Sequence, residues 1–593
     1  MRRFQRLYLT IVTRRQEYIG NRAFTVLLAI LVGLMAALAA MFLKTLIHFI
    51  EEEGIEWLPP YFFFFFPMIG IFIVLGLYGR VFKNAAGFHG IGGVLEAVRR
   101  KSSILHYSLM YAQMITAAIT IGFGGSSGLE SPTVVTGSAI GSNSSRFFRL
   151  NYKYRTLFIG CGTAATIAAI FNAPIAGVIF ATEVILPQFS ATIFIPILIA
   201  SATGAFFSEL FLGNNVLFRV EGVVPFTLKE IPLIIVLGIF AGFVSVYYTQ
   251  VFALLKSALG KVKAKWRKAF IGGLLLGSLI FLFPVLFGEG YIGIRQIISG
   301  EFGKIWQESV FGNYGEENYY TPLLVFGLLI LLKPIAASVT VHSGGEGGQF
   351  APSFVTGGFT GFFFFLIASN FLPAGEVLHP TNYILLGMSA VLAGVMHAPL
   401  TGIFLVAEVT ESYDMFIGLM LVSAISFFTK IYFDKVPIHF KGSKSAAEMD
   451  STKHEFISLN NIRVADLVER KFQSGTPETR LSEFGDVFAG NDSVTIAVRS
   501  GDELVGIVTE HQLRKLLGRD VSLSSIKLGD IMALPATYID LKDSMDMVVH
   551  KFDTYDVHYL PVLNKGKFIG FISRMKVLSS FREALKSSGD ILG

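Results

Sequence analysis

The 593-residue chain has little charge, almost no cysteine and neither a zinc-hydrolase HExxH nor a P-loop signature. Only 16% of its residues are Asp, Glu, Lys or Arg, against 52% hydrophobic. That balance excludes an ordinary soluble enzyme and points to a polytopic membrane protein in a lipid bilayer. The single cysteine, Cys161, lies in apolar sequence, which excludes an intrachain disulfide framework and a cysteine-cluster metal site. HExxH and GxxxxGKS patterns are missing, and Ser126-Ser127 has no nearby His or Asp to act as base, so no enzyme is expected. The apolar stretch from Ala23 is too long for a signal peptide and lacks a cleavage-like end, so none is expected. Instead Arg2, Arg3, Arg6, Arg14, Arg15 and Arg22 come before it, so a cytoplasmic N-terminus is expected. No basic, aromatic-interleaved domain suggests a nucleic-acid partner.

What is present is a series of apolar stretches broken by glycine and proline, ending near Phe433. Several are shorter than the roughly 20 residues that cross a hydrocarbon core of about 30 Å. Short, interrupted segments of this kind mark broken helices around a buried site. Residues 1–440 are expected to form the membrane domain, 441–460 a polar linker, and 461–520 and 524–590 two α/β halves. VADLV and LGDIM place Asp466 and Asp530 64 residues apart, and Gly506 and Gly570 share that spacing.

The organising stretch is residues 122–142, rich in Gly and Ser around one carboxylate, Glu130. An ionisable group within apolar sequence is costly and usually functional. Pro132 suits a first helical turn. The pattern predicts a helix starting at membrane depth with its N–H groups offered to an anion.

The membrane part repeats, in segments of about 85–210 and 320–433. FNAPIAGVIFATEV at 171–184 resembles MHAPLTGIFLVAEV at 396–409, an offset of 225. SPTVVTG at 131–137 resembles APSFVTG at 351–357, an offset of 220. Each half thus supplies a Gly-rich loop running into a Pro-started helix, and two such N-termini meeting would form an anion site.

These residues resemble the CLC chloride channel and transporter family, followed by tandem CBS domains. The resemblance covers roughly residues 20–440 and 460–590. It implies a polytopic α-helical fold with inverted repeats, a homodimer with one pore per subunit, and chloride or a related anion as the permeant ion. The family's G-R-E-G-P motif corresponds to Gly128-Leu129-Glu130-Ser131-Pro132, which makes Glu130 the gating glutamate. G-x-F-x-P corresponds in full to Gly348-Gln349-Phe350-Ala351-Pro352. G-S-G-I-P is matched only by Phe88-His89-Gly90-Ile91-Gly92, with His89 at the anion-coordinating serine. The pore tyrosine is missing, and His439 is the candidate for its place. By family geometry the anion would meet backbone N–H groups of Leu129, Ser131, Gln349, Phe350 and Ala351, with His89, Gly90 and His439 nearby. Glu183 fits the family's subunit-interface region.

Family exchangers commonly carry a second, cytoplasm-side glutamate directly after the Glu183 position; here it is Val184. Valine cannot relay a proton, so the expectation leans to a passive chloride channel, with a proton-coupled chloride exchanger as the alternative. A divalent-cation transporter with CBS domains is the remote alternative; it would need intramembrane carboxylate clusters. No cofactor is required. CBS pairs often bind adenine nucleotides, but the ribose-binding Asp is Gln512 in one copy and Lys576 in the other. Thr509, Ser573 and Lys576 remain as candidate nucleotide contacts. A prokaryotic inner membrane with cytoplasmic CBS domains is the expected location.

Overall fold

Apolar runs in hydrocarbon must satisfy their backbone groups internally, and here they do so as helices. The computed structural model describes residues 20–55, 64–88, 90–100, 103–186, 191–213, 225, 227–310, 320–371, 378–441, 464–470, 472–484, 495–501, 503–509, 512–513, 523–541, 543, 545–564 and 566–580. The chain divides into two units, Met1–Ser443 and Lys444–Gly593. Most of the expected linker, 442–460, lies outside the described residues.

The first unit is helical. Its elements are α1 (Asn21–Ile55), α2 (Phe66–Arg80), α3 (Gly90–Arg100), α4 (Ala112–Gly122), α5 (Glu130–Phe147), α6 (Tyr152–Phe171), α7 (Pro174–Phe180), α8 (Ala191–Leu212) and α9 (Ile231–Gly260). They continue with α10 (Lys265–Leu282), α11 (Tyr291–Ile298), α12 (Gly303–Gln307), α13 (Tyr320–Ser343), α14 (Phe350–Ala368), α15 (Pro380–Met396), α16 (Pro399–Val409) and α17 (Phe416–Phe433). Among the described residues, seven helical stretches are long and apolar enough to cross a membrane. The shorter apolar helices include α2, α4, α15 and α16.

Helix α5 is too rich in Ser, Thr and Gly to face lipid, and it is wrapped by protein instead. Its hydroxyls bond back along the helix: Thr133 Oγ1 donates to Leu129 O at 2.8 Å and Ser145 Oγ to Gly141 O at 2.8 Å. Glycines let it press against α6. A Cβ on Gly137 would strike Gly162 O, and one on Gly162 would strike Gly137 O. Helices α14 and α15 repeat that contact through Gly357 and Gly387, at the same offsets of 220 and 225.

Both repeats end their central helix on a left-handed residue, Asn172 at φ 52° and His397 at φ 56°, and restart at Pro174 and Pro399. The repeated glutamates then cap each other's repeat. Glu183 accepts from Leu400 N–H (3.1 Å), Thr401 N–H (2.8 Å) and the Thr401 hydroxyl (2.7 Å) at the start of α16. Glu408 accepts from Ile175 N–H (2.8 Å) and Ala176 N–H (2.7 Å) at the start of α7. Each carboxylate satisfies orphan donors of a helix N-terminus and meets its positive dipole end.

The second unit holds two three-stranded sheets of one design. In the first, β1 (Gln473–Gly475) pairs parallel to β2 (Thr495–Ser500), which pairs antiparallel to β3 (Glu503–Thr509). In the second, β4 (Ile539–Asp540) pairs parallel to β5 (Tyr559–Asn564), which pairs antiparallel to β6 (Lys567–Ser573). Register breaks fall at Val498/Arg499 and Val562/Leu563, again 64 residues apart. Short helices α18 (Val464–Leu467), α19 (Leu528–Ile531) and α20 (Met545–Tyr555) complete the described part.

The halves are not self-contained along the boundaries 461–520 and 524–590. Val464 and Leu467 pack in the second core with Ile539, Val548 and Val562. Leu528 packs in the first, with Leu481, Ile496 and Val508. Two equivalent bridges, Glu469 to Phe571 and Ile507 to Ala533, tie the halves together. Each half thus completes its core with the lead segment of the other.

Candidate functional site

The two Gly-rich loops are joined directly. Gly128 N–H donates to Gly348 O at 2.9 Å and Gly348 N–H to Gly128 O at 2.7 Å, an isolated antiparallel bridge. This sets the N-termini of α5 and α14 side by side. Glycine is required on both sides of the bridge. A Cβ on Gly128 would run into Glu130 Oε2, and one on Gly348 would approach Ser131 Cβ to 2.7 Å.

Glu130 opens α5 and is fully buried. Its Oε2 accepts from Ala351 N–H at 3.4 Å, in the first turn of α14, and its Oε1 accepts from the Tyr291 hydroxyl at 2.7 Å. The carboxylate therefore lies across the N-terminus of the opposite helix. First-turn N–H groups there have no intrahelical acceptor, and the dipole end favours negative charge. Phe350, the first residue of α14, is buried, its ring centroid 5.7 Å from that of Phe171 and 5.9 Å from that of Phe180. The Gln349 side chain is held in the protein: Oε1 accepts from Tyr248 at 2.8 Å and Nε2 donates to Ala337 O at 3.3 Å.

Leu129 needs correction. Its N–H was expected to face the anion, but it donates to Glu289 Oε1 at 3.0 Å. A carboxylate from the loop before α11 already fills that position. Beside this loop, buried Lys333 donates to Ser126 Oγ at 2.9 Å and Gly288 O at 3.1 Å.

A cavity of ≈ 720 Å³ brings several expected residues together: Gly90, Ser131, Gln349 and His439 line it. Gly90 has φ 46°, and a Cβ there would meet Ser131 Oγ at 2.6 Å. His439 sits on the turn Ile438–Phe440, with its carbonyl against Gly92. Its Nε2 is shut from solvent and has no hydrogen-bond partner among the described residues. His89 lies outside the described residues.

The residues that sequence reasoning missed are Tyr291, Glu289, Lys333 and Glu346. Each carried a signal: GEGY at 288–291, a lone lysine in the apolar run of α13, and a second acidic residue in the glycine loop at 344–348. Glu346 lines the cavity and accepts from the Tyr78 hydroxyl at 2.6 Å.

In the second unit the candidate nucleotide contacts serve local structure. Thr509 donates to Gln512 Oε1 from both its N–H (2.6 Å) and its hydroxyl (2.8 Å). The Ser573 hydroxyl donates to Glu469 Oε1 at 2.7 Å and accepts from Lys576 N–H at 3.3 Å.

Fold and site define a helical membrane protein with a carboxylate seated at paired helix N-termini in its interior. The chain belongs to the voltage gated chloride channel family, whose model matches residues 70–430, more than half of its length. A CBS domain model matches residues 528–583. A curated relative, the H(+)/Cl(-) exchange transporter ClcA of Vibrio cholerae, is 29% identical over 432 residues, covering 68% of this chain and 85% of the relative. The solved structure of a slow cyanobacterial Cl-/H+ antiporter aligns with TM-score 0.60 at 21% identity, covering 71% of this chain and 97% of that one. A eukaryotic CLC transporter aligns with TM-score 0.58 at 15% identity, covering 93% of this chain and 97% of that one. At these identities the structures establish the fold alone.

Proposed function

We propose that the protein exchanges chloride for protons across a membrane, with Glu130 as the element that handles both ions. The observation that supports this is the seat of the Glu130 carboxylate at the α14 N-terminus, on Ala351 N–H and the Tyr291 hydroxyl. A charged Glu130 fills the place where a free anion would bind. A protonated Glu130 loses its claim on helix-terminal donors, and chloride can take its place. Competition of one tethered carboxylate and one free anion for the same donors links proton uptake to anion movement. The donors are neutral backbone and hydroxyl groups, which bind an anion weakly enough to release it.

The passive channel that Val184 suggested is the weaker reading. Valine removes one proton carrier and leaves Glu130 in place, and the Vibrio cholerae relative and the cyanobacterial structure are named as an exchanger and an antiporter. The link after α9 and the first turn of α10 carry Lys261, Lys263, Lys265, Arg267 and Lys268. By the positive-inside rule this end is cytoplasmic, like the N-terminus. The cavity, which Lys268 lines, then opens to the cytoplasm. A homodimer with one pore per subunit accompanies this reading, as the family resemblance implies.

The test is a chloride gradient imposed on vesicles holding the purified protein. Protons should move uphill as chloride runs down, and Glu130→Gln should abolish proton movement while chloride flux continues. Wild-type chloride flux with no proton movement would sink the exchange reading.

A further inference from the structure

Glu346 is an ionisable side chain inside a membrane protein, in the glycine loop 344–348, where such a group is costly unless it is used. It is half-buried and opens on the ≈ 720 Å³ cavity. Its Oε2 accepts from the Tyr78 hydroxyl of α2 at 2.6 Å, and that hydroxyl is 3.1 Å from Thr116 Oγ1 of α4. Its N–H donates to Thr120 Oγ1 at 2.9 Å, which fixes the backbone. No ion pair holds Glu346 among the described residues. With a neutral phenol as partner, a proton can be taken up and given back without breaking a charge pair.

Its place in the chain connects it to the gate. Gly348 pairs with Gly128; Glu346 precedes that bridge by two residues and Glu130 follows it by two. In an antiparallel pairing those two positions lie on the same side of the bridge. Val184 lies on the turn 181–185 and is not among the residues lining the cavity. The other charged or titratable groups lining it are Lys256 of α9, Lys268 of α10, His342 of α13, and His439 and Lys441 after α17.

We propose that Glu346, bonded to Tyr78 on the cavity wall, is the inner proton carrier of the exchange cycle, a role Val184 cannot fill. This rests on the exchange reading given above. The Glu346 carboxylate takes one proton from cavity water, passes it on to the Glu130 carboxylate and returns to its charged form. Only O–H bonds form and break, and chloride moves the opposite way.

The experiment measures chloride efflux and proton uptake together in phosphatidylethanolamine–phosphatidylglycerol vesicles, for wild type and Glu346→Gln. Glutamine keeps the shape and still accepts from Tyr78, so a merely structural latch would survive it. The expected result is persistent chloride flux with proton flux reduced about a hundredfold, the low end for loss of a positioned proton carrier. A wild-type proton-to-chloride ratio in Glu346→Gln overturns the proposal and leaves the exchange reading standing. Wild type without proton uptake overturns both. Should Glu346→Gln not fold, Tyr78→Phe takes its place: it is expected to displace the pH profile of proton flux, and an unmoved profile overturns the proposal.

Discussion

The reciprocal caps of Glu183 and Glu408 predict a specific loss of stability. Glu183→Ala removes three hydrogen bonds at the start of α16, at 2.7–3.1 Å. A bond to a charged group contributes about 1.5–3 kcal/mol in water-soluble proteins. Side-chain bonds measured within membrane helices average nearer 0.6 kcal/mol. Three bonds between those limits cost about 2–4 kcal/mol on truncation. Glu408→Ala removes two, with an expected cost of about 1–3 kcal/mol. The caps meet at the contact of α7 with α16, so loosening one weakens the other. The double variant should therefore cost less than the sum of the singles. The assay is reversible unfolding of the purified protein in mixed micelles, followed by near-UV circular dichroism. Single variants both within about 0.5 kcal/mol of wild type, the range of ordinary surface changes, would refute the reciprocal capping.

Three further outcomes are expected. Tyr291→Phe removes the 2.7 Å donor to Glu130, worth about 1.5–3 kcal/mol; chloride flux at neutral pH should rise, and an unchanged flux would count against the seat. Gly162→Ala and Gly387→Ala push a methyl into Gly137 O and Gly357 O of the facing helices; each should cost about 1–3 kcal/mol in the same unfolding assay, and a neutral effect at both sites would contradict the close packing. In the second unit, calorimetric titration with ATP should give no saturable heat, because the Thr509 and Ser573 hydroxyls are committed to Gln512 and Glu469; saturable binding abolished by Ser573→Ala would reverse that assignment.

The starts of α5 and α14 were legible because the cues are local: glycine before and proline after both, with Glu130 marking the first. The duplication was legible too, since the offsets 220 and 225 recur in the helix contacts Gly137–Gly162 and Gly357–Gly387. The partners were not. Leu129 N–H meets Glu289, Glu130 meets Tyr291 and Glu346 meets Tyr78 across 160, 161 and 268 residues of chain. No periodicity encodes such pairings; they follow from how the helices pack. The same holds for Glu183, which marks the repeat in sequence but acts on the opposite repeat in space. In the second unit the 64-residue period was visible, but not the exchange of lead segments that puts Val464 in one core and Leu528 in the other.

The most direct test of the Glu130 seat as a coupled-exchange device is the reversal potential of the purified protein in a planar bilayer. Chloride is held equal to a fixed ratio across the membrane while a pH gradient is imposed. Proton-coupled exchange predicts a reversal potential that moves away from the chloride equilibrium value as the gradient grows, and that returns to it in Glu130→Gln. A wild-type potential pinned at the chloride value at every pH gradient would contradict it.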